Sequence, residues 1–264
     1  MNDRPTLLIR NHFELLDVAE QMGLSVALVE RDFALMLIAA RLVAEHPGRL
    51  CFKGGFVLRH VYGHERFSKD IDTTRTNPPK NKLDADEIAE TIRRAGMKNL
   101  LTLDPGVPAT DSGTSLDFAS VGYRGPLGEG SVAVEVSYRE AVIEPPELVN
   151  VGPPYYESFT IPVMALDEIV AEKLRTLAQR LRPTDLADLA MILDKHDIDE
   201  RRVRTLAAKK FDLVRGGDRR ARIEESVAAM GASYDAVVTA VAPDAPDYGR
   251  ATELVSKRLG GLLP

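Results

Sequence analysis

The chain of 264 residues has a single cysteine, Cys51. One thiol excludes an internal disulfide and suits a reducing compartment. No stretch approaches the roughly 20 consecutive apolar residues that a membrane-spanning helix requires. The opening residues, MNDRPTLLIRNHFELLD, are charged throughout and hold no apolar signal-peptide core. The expected location is therefore the cytoplasm, with no membrane partner. Internal repeats and low-complexity tracts are absent, and so is a GxxxxGK[ST] phosphate loop. His60 and His64 stand four apart with Gly63 between them and no third ligand nearby, which argues against zinc.

What is present describes a globular protein. Hydrophobic residues make up 44% of the chain, enough for one large domain or two small ones with a real core. The formal net charge of −6 rules out a uniformly basic molecule. Charge is uneven, however: between Glu172 and Arg222 there are 14 Lys and Arg against nine Asp and Glu. A basic region on an acidic protein can serve a phosphate-bearing partner.

Periodicity divides the chain. Residues 11–22 and a segment capped by Ser25 and ended by Pro47-Gly48 read as helices. RLCFK reads as a buried strand, GGFVLRHVYG as a short helix and FSKDIDTTR as an alternating strand. Asp84 or Asp86 starts a helix that stops at Gly96. SLDFASVGY and SVAVEVSYRE alternate as strands, with GYRGPLGEG as a long connection between them. PPELVNVGPPYYE reads as a connector and FTIPVM as a last strand. Helices are expected over 166–181, 184–195, 199–211, 218–231, 234–241 and 248–259. The fold class is therefore α+β, with a mixed α and β part at 1–164 and a mostly α-helical part at 165–264.

The chemistry concentrates in two blocks. In RFSKDID, Asp70 and Asp72 are two apart on a strand and project from one face. Adjacent carboxylates repel unless a cation neutralises them, and hard divalent ions prefer carboxylate oxygens. In VAVEVSY, Val132, Val134 and Val136 line one face and Glu135 the other. A neighbouring strand would bring Glu135 beside the aspartates, and three carboxylates on one face suit two Mg²⁺ ions about 3.5–4 Å apart. Upstream, a strand, Gly54-Gly55 and a helix leave backbone N–H groups for a phosphate. Ser68 adds a hydroxyl, and Lys53 lies close in sequence. In the second block, Val170, Leu174, Leu177 and Leu181 form an apolar stripe. Lys173 and Arg180, seven apart, share a neighbouring face and suit a triphosphate. Thr184 is the expected cap of the next helix, whose Asp185 and Asp188 share a face.

This ordered set resembles the AbiEii/MenT-type nucleotidyltransferase toxins of bacterial toxin–antitoxin systems. The matching pieces are VERDFALML, FKGGFVLRHVYG, ERFSKDID, VEVSYRE and DEIVAEKLRTLAQRLRPTDLADLAMIL, in that order. The resemblance implies a nucleotidyltransferase-fold mixed sheet, followed by a helical domain that completes the active site. It implies Gly54, Gly55 and Ser68 at the triphosphate, and Asp70, Asp72 and Glu135 at Mg²⁺. Lys173 would contact the nucleotide, and Asp185 or Asp188 would complete the site. One departure is Phe56, where the family often has serine or threonine. The implied activity is transfer of a nucleotide from a nucleoside triphosphate to RNA, foremost the 3′ acceptor end of tRNA, with a cognate antitoxin as partner. Transfer to a protein or small-molecule hydroxyl, or non-catalytic binding of RNA or antitoxin, are the alternatives. Arg201, Arg202, Arg204, Lys209 and Lys210 are the expected contacts to an RNA backbone. Phosphorylation of Ser68 would place a dianion beside Asp70 and oppose nucleotide binding.

Overall fold

A computed structural model describes residues 5–76, 83–97, 100–139, 142–213 and 217–264. The chain divides into two compact units: residues 1–63 with 67–163, and residues 64–66 with 164–264.

The first unit begins with α1 (His12–Met22), whose N-terminus is closed by the Asn11 side chain accepting from the backbone N–H of Phe13 and Glu14. Gly23, at φ +64°, ends it. Ser25 caps α2 (Val26–Glu45), which buries an unbroken run from Asp32 to Ala40. A helix apolar on nearly all sides must be covered on all sides. α2 packs on α1, on the sheet and on α4 (Ala85–Ala95).

The strands are β1 (Leu50–Lys53), β2 (Asp70–Arg75), β3 (Thr102–Asp104), β4 (Thr110–Asp111), β5 (Ser115–Gly125), β6 (Gly128–Ser137), β7 (Glu147–Val151) and β8 (Phe159–Val163). They form one mixed sheet in the order β3-β5-β6-β2-β1-β8-β7, with β4 on β5. β2 runs antiparallel to β1 and parallel to β6. Ile71, Val132, Val134 and Val136 face the core, so alternation sends their neighbours Asp70, Asp72 and Glu135 to the opposite face.

Two connections differ from the sequence expectation. The link between β5 and β6 is a tight turn, because the pairing runs on to Gly125 and Gly128. Glycines at both ends let the backbones close there, and the strands absorb most of GYRGPLGEG. The proline-marked connector contains β7, which pairs along all of β8. Prolines flank that strand without entering it.

α3 (Gly54–His60) follows β1 directly and packs on β1 and β2. It is anchored by a buried carboxylate. Asp32 of α2 accepts from Arg59 Nε at 3.2 Å and from the Tyr155 hydroxyl at 3.0 Å, and lies 3.1 Å from His60 Nε2. Burial alone would raise Asp32, but His60, Arg59 and Tyr155 outweigh it and hold the carboxyl below its usual range. Phe56 is fully buried, with its ring between those of Phe52 and His60. Phe56 is therefore a packing residue here.

The second unit is helical throughout its regular structure: α5 (Leu166–Leu177), α6 (Pro183–Lys195), α7 (Glu200–Lys210), a 3₁₀ turn (Phe211–Leu213), α8 (Arg219–Met230), α9 (Tyr234–Thr239) and α10 (Tyr248–Leu262). α5 packs on α6, α7 and α8, and α10 packs on α6 and α7. α5 ends at Leu177, four residues earlier than its pattern suggests. Val170, Leu174 and Leu177 are buried as expected, whereas Leu181 lies past the helix and is 59% exposed. α6 starts on Pro183 at its first turn, with Arg182 at the cap position and no side-chain cap. The fixed φ of proline starts this helix, and Thr184 does not cap it. Among the described residues no helix is long and apolar enough to cross a membrane.

Candidate active site

The register of the sheet assembles the first group. Asp72 on β2 is the Cα partner of Glu135 on β6. Asp70 pairs with Ala133, two residues along the same face. On the other side, Asp72 pairs with Lys53 of β1, and Glu135 pairs with Asp117 of β5. One row across four strands therefore reads Lys53, Asp72, Glu135, Asp117, with Asp70 one step along β2. All five are partly exposed. Asp117 was not among the expected residues. The alternation of SLDFAS shows that it opposes the core, but only the β5–β6 register places it beside Glu135.

Gly54 has φ +69°, a region that L side chains rarely occupy, and a Cβ there would strike the Asp72 carboxylate. The glycine lets backbone and carboxylate come together. Ser68 is buried, and its hydroxyl donates to Asp70 Oδ1 at 2.7 Å, with the Asp70 carbonyl oxygen at 3.0 Å. Its hydrogen bond is thus spent on orienting a carboxylate.

The donor set of Asp70, Asp72 and Glu135 is all oxygen and fits a hard cation by its chemistry. Among the described residues, no three His, Cys, Asp or Glu side chains stand close enough together to form a ligand set.

The second group is built on α5 and α6. Lys173 Nζ donates to Asp185 Oδ1 at 2.8 Å and to Asp188 Oδ2 at 2.7 Å. Arg180, in the loop after α5, donates from Nε to Asp185 Oδ2 at 2.8 Å. Arg66 donates from Nη1 to Asp188 Oδ2 at 3.2 Å. Burial works against the Lys173 ammonium, but Asp185 and Asp188 outweigh it and hold the group above the usual lysine range. Burial would raise Asp185, yet Lys173 and Arg180 hold it well below the usual carboxylate range. Asp188 is fully buried and its Oδ1 makes no hydrogen bond among the described residues. Arg66, the first residue of RFSKDID, is the member of this cluster that sequence reasoning missed. Nothing in its spacing from Asp188, 122 residues away, could have revealed the pairing.

The histidines have separate partners: His60 faces Asp32, and His64 faces His196 with their Nε2 atoms 3.0 Å apart. Of the expected RNA contacts, Lys210 does not fit. It is 2% exposed and pairs with Glu168 Oε1 at 2.7 Å, because that face of α7 packs on α5. Arg204 donates to the carbonyls of Gly260 and Gly261, closing the end of α10, while Arg201 and Lys209 are exposed.

A mixed sheet carrying paired acidic residues beside a strand–glycine–helix turn defines a nucleotidyltransferase-type fold. Comparison with known proteins places it further. Residues 37–252 match the model of the family described as nucleotidyl transferase AbiEii toxin, type IV toxin–antitoxin system. The chain belongs to this family, and its class is that of a transferase. Among solved structures it resembles MenT4, a nucleotidyltransferase toxin from Mycobacterium tuberculosis, at 24% identity and TM-score 0.68, over 94% of this chain and 89% of that one. It also resembles JHP933 from Helicobacter pylori at 18% identity and TM-score 0.62, over 90% and 93% of the two chains. A putative nucleotidyltransferase from H. pylori matches at 17% identity and TM-score 0.61, over 90% and 96%. At these identities the structures speak for the fold. Among curated protein sequences none matches.

Proposed function

We propose that this chain transfers a nucleotide from a nucleoside triphosphate to RNA, foremost the 3′ end of tRNA, and so blocks translation. The observation that supports this most is the pairing of Asp72 with Glu135, with Asp70 on the same face and Gly54 against Asp72. Asp70, Asp72 and Glu135 are the residues that would hold Mg²⁺, which when bound neutralises phosphate charge and makes a hydroxyl easier to deprotonate. Ser68 orients Asp70 through its hydroxyl. The backbone of Gly54-Gly55 supplies N–H donors to phosphate oxygens, and Lys53 adds a cation on the same row. In the helical unit, Lys173 and Arg180 are the phosphate-facing cations, and Asp185 and Asp188 hold them in place. Glu135 stands on the carboxylate face as the base nearest an incoming hydroxyl. Attack of that hydroxyl on the α-phosphorus forms one P–O bond and breaks another, and pyrophosphate leaves. The family description supports a cognate antitoxin as partner, and the reaction itself belongs in the cytoplasm with the tRNA.

The test is incubation of the chain with total tRNA, Mg²⁺ and each labelled nucleoside triphosphate in turn, beside Asp70→Ala. Label on tRNA that is absent with the variant supports the reading and names the nucleotide. Label on protein or on a small molecule keeps the chemistry and changes the acceptor. No label on any acceptor removes the enzymatic reading and favours binding alone.

A further inference from the structure

Arg66 opens the RFSKDID stretch, yet the function proposed above gives it no part. Its side chain is mostly buried, and its Nη1 donates to Asp188 Oδ2 at 3.2 Å. That same oxygen accepts from Lys173 Nζ. Arg66 and Lys173 therefore meet at one atom of one carboxylate.

The charge count across the cluster depends on this arginine. Asp185 and Asp188 carry two negative charges, and Lys173 and Arg180 carry two positive ones. These four side chains alone cancel, and a neutral cluster exerts little pull on a polyanion. Arg66 adds a further positive charge beside Asp188, and at separations of about 3 Å in a partly buried setting a single charge is felt strongly. Geometry adds to this. A lysine ammonium has three N–H bonds. Asp185 and Asp188 accept from two of them, which fixes the direction of the third, and Lys173 keeps 11% of its side-chain surface exposed. Two carboxylates orient the ammonium, and a second cation on Asp188 offsets the charge they would otherwise cancel.

The segment that carries Arg66 is itself fastened. His64 stacks on His196 with ring planes 10° apart and centroids at 5.2 Å, and the two Nε2 atoms are 3.0 Å apart. His196 is the C-cap of α6, the helix that carries Asp188. Residues 64–66 are thus tied to one helix at two points, two turns apart.

We infer that Arg66 is a positioning residue that acts through Asp188 to keep the Lys173 ammonium oriented, and its charge less fully offset by that carboxylate, toward a triphosphate. The inference rests on the reading of Lys173 as a phosphate-facing group. It concerns binding, so it is testable without any acceptor RNA.

The experiment is calorimetric titration of the full chain with inorganic triphosphate and with each nucleoside triphosphate, for wild type, Arg66→Gln and Arg66→Lys. Steady-state KM and kcat are measured in parallel where transfer is detectable. The expected result is triphosphate affinity about tenfold or more weaker in R66Q, a rise in KM larger than the fall in kcat, and recovery to within about threefold in R66K. A purely structural role would lower the unfolding midpoint and kcat together with affinity, whereas the inferred role raises KM with the midpoint kept. Equal binding by wild type and R66Q overturns the inference and leaves the proposed function standing. R66K as weak as R66Q also overturns it. If R66Q does not fold, R66K alone decides: affinity near wild type supports the inference and a loss beyond tenfold overturns it. Wild-type protein that binds none of the triphosphates overturns the inference and the nucleotide reading together.

Discussion

Asp72 and Glu135 stand side by side as register partners on parallel strands, 63 residues apart in sequence, with Asp117 next in the row. Like charges directly opposite on neighbouring strands are unfavourable, so this row is expected to cost stability. Glu135→Gln is expected to raise stability by about 0.5 kcal/mol in denaturant unfolding while lowering nucleotidyl transfer by about 10²-fold or more. Asp117→Asn is expected to give a similar gain in stability and a smaller loss of activity, since it lies one strand further from Asp70. A loss of stability in both variants would show that the row is structural.

Gly54 is held at positive φ against the Asp72 carboxylate. Gly54→Ala brings both a strained backbone and a collision. It should cost about 1–2 kcal/mol of stability and reduce transfer to the level of Asp72→Asn. Chemical denaturation and a labelled transfer assay check the two parts separately.

Asp188 is fully buried and accepts from both Lys173 and Arg66. Removing it leaves two buried or partly buried cations facing each other. Asp188→Ala should lose about 3–5 kcal/mol, read as a lower urea midpoint with unchanged m-value. Asp188→Asn keeps the shape and should lose less.

His64 is buried against His196, and burial first, then His196, pushes its pKa down to about 4, while His196 is lowered as well. The unfolded chain protonates His64 near pH 6.5, whereas the folded chain resists until about pH 4. Acidification through that window therefore favours the unfolded state, and the stabilisation present above pH 6.5 is lost as pH falls. The full shift corresponds to about 3 kcal/mol, reduced to about 1–2 kcal/mol by solvent around the pair. The melting temperature should fall between pH 7 and pH 5, and His64→Gln should flatten that slope.

Lys210 and Lys209 are neighbours with opposite fates. Lys210→Met removes the partner of buried Glu168 and should destabilise by about 3 kcal/mol. Lys209→Glu and Arg201→Glu leave stability within about 0.5 kcal/mol. If α7 carries the RNA contacts, those two reversals weaken RNA binding and reduce its salt dependence. Filter binding at several salt concentrations measures this.

Much of the fold is written locally. Asn11, Ser25 and Asp84 mark helix starts by side-chain chemistry that acts within three residues. The alternation of Val132, Val134 and Val136 already states that Glu135 opposes the core. Where the reading failed, a local signal was outweighed by a distant one. Leu181 fits the helical stripe, but the chain leaves the helix before reaching it. The β7 segment reads as a connector because its prolines are visible in sequence and its pairing with β8 is not. Lys210 reads as a solvated cation because its partner Glu168 lies one helix away.

The sequence alone determined which groups have hydrogen-bonding and charge chemistry to offer: the glycine pair, the aspartates two apart, the glutamate in an alternating strand, and a lysine and arginine near two more aspartates. Those follow from backbone periodicity and side-chain type, which act over a few residues. Tertiary structure alone decided their company. Strand register put Asp72 beside Glu135 and brought in Asp117, and helix packing delivered Arg66 to Asp188. Register and packing are set by burial summed over whole elements, so partners far apart in sequence are chosen by the core and not by the residues that meet.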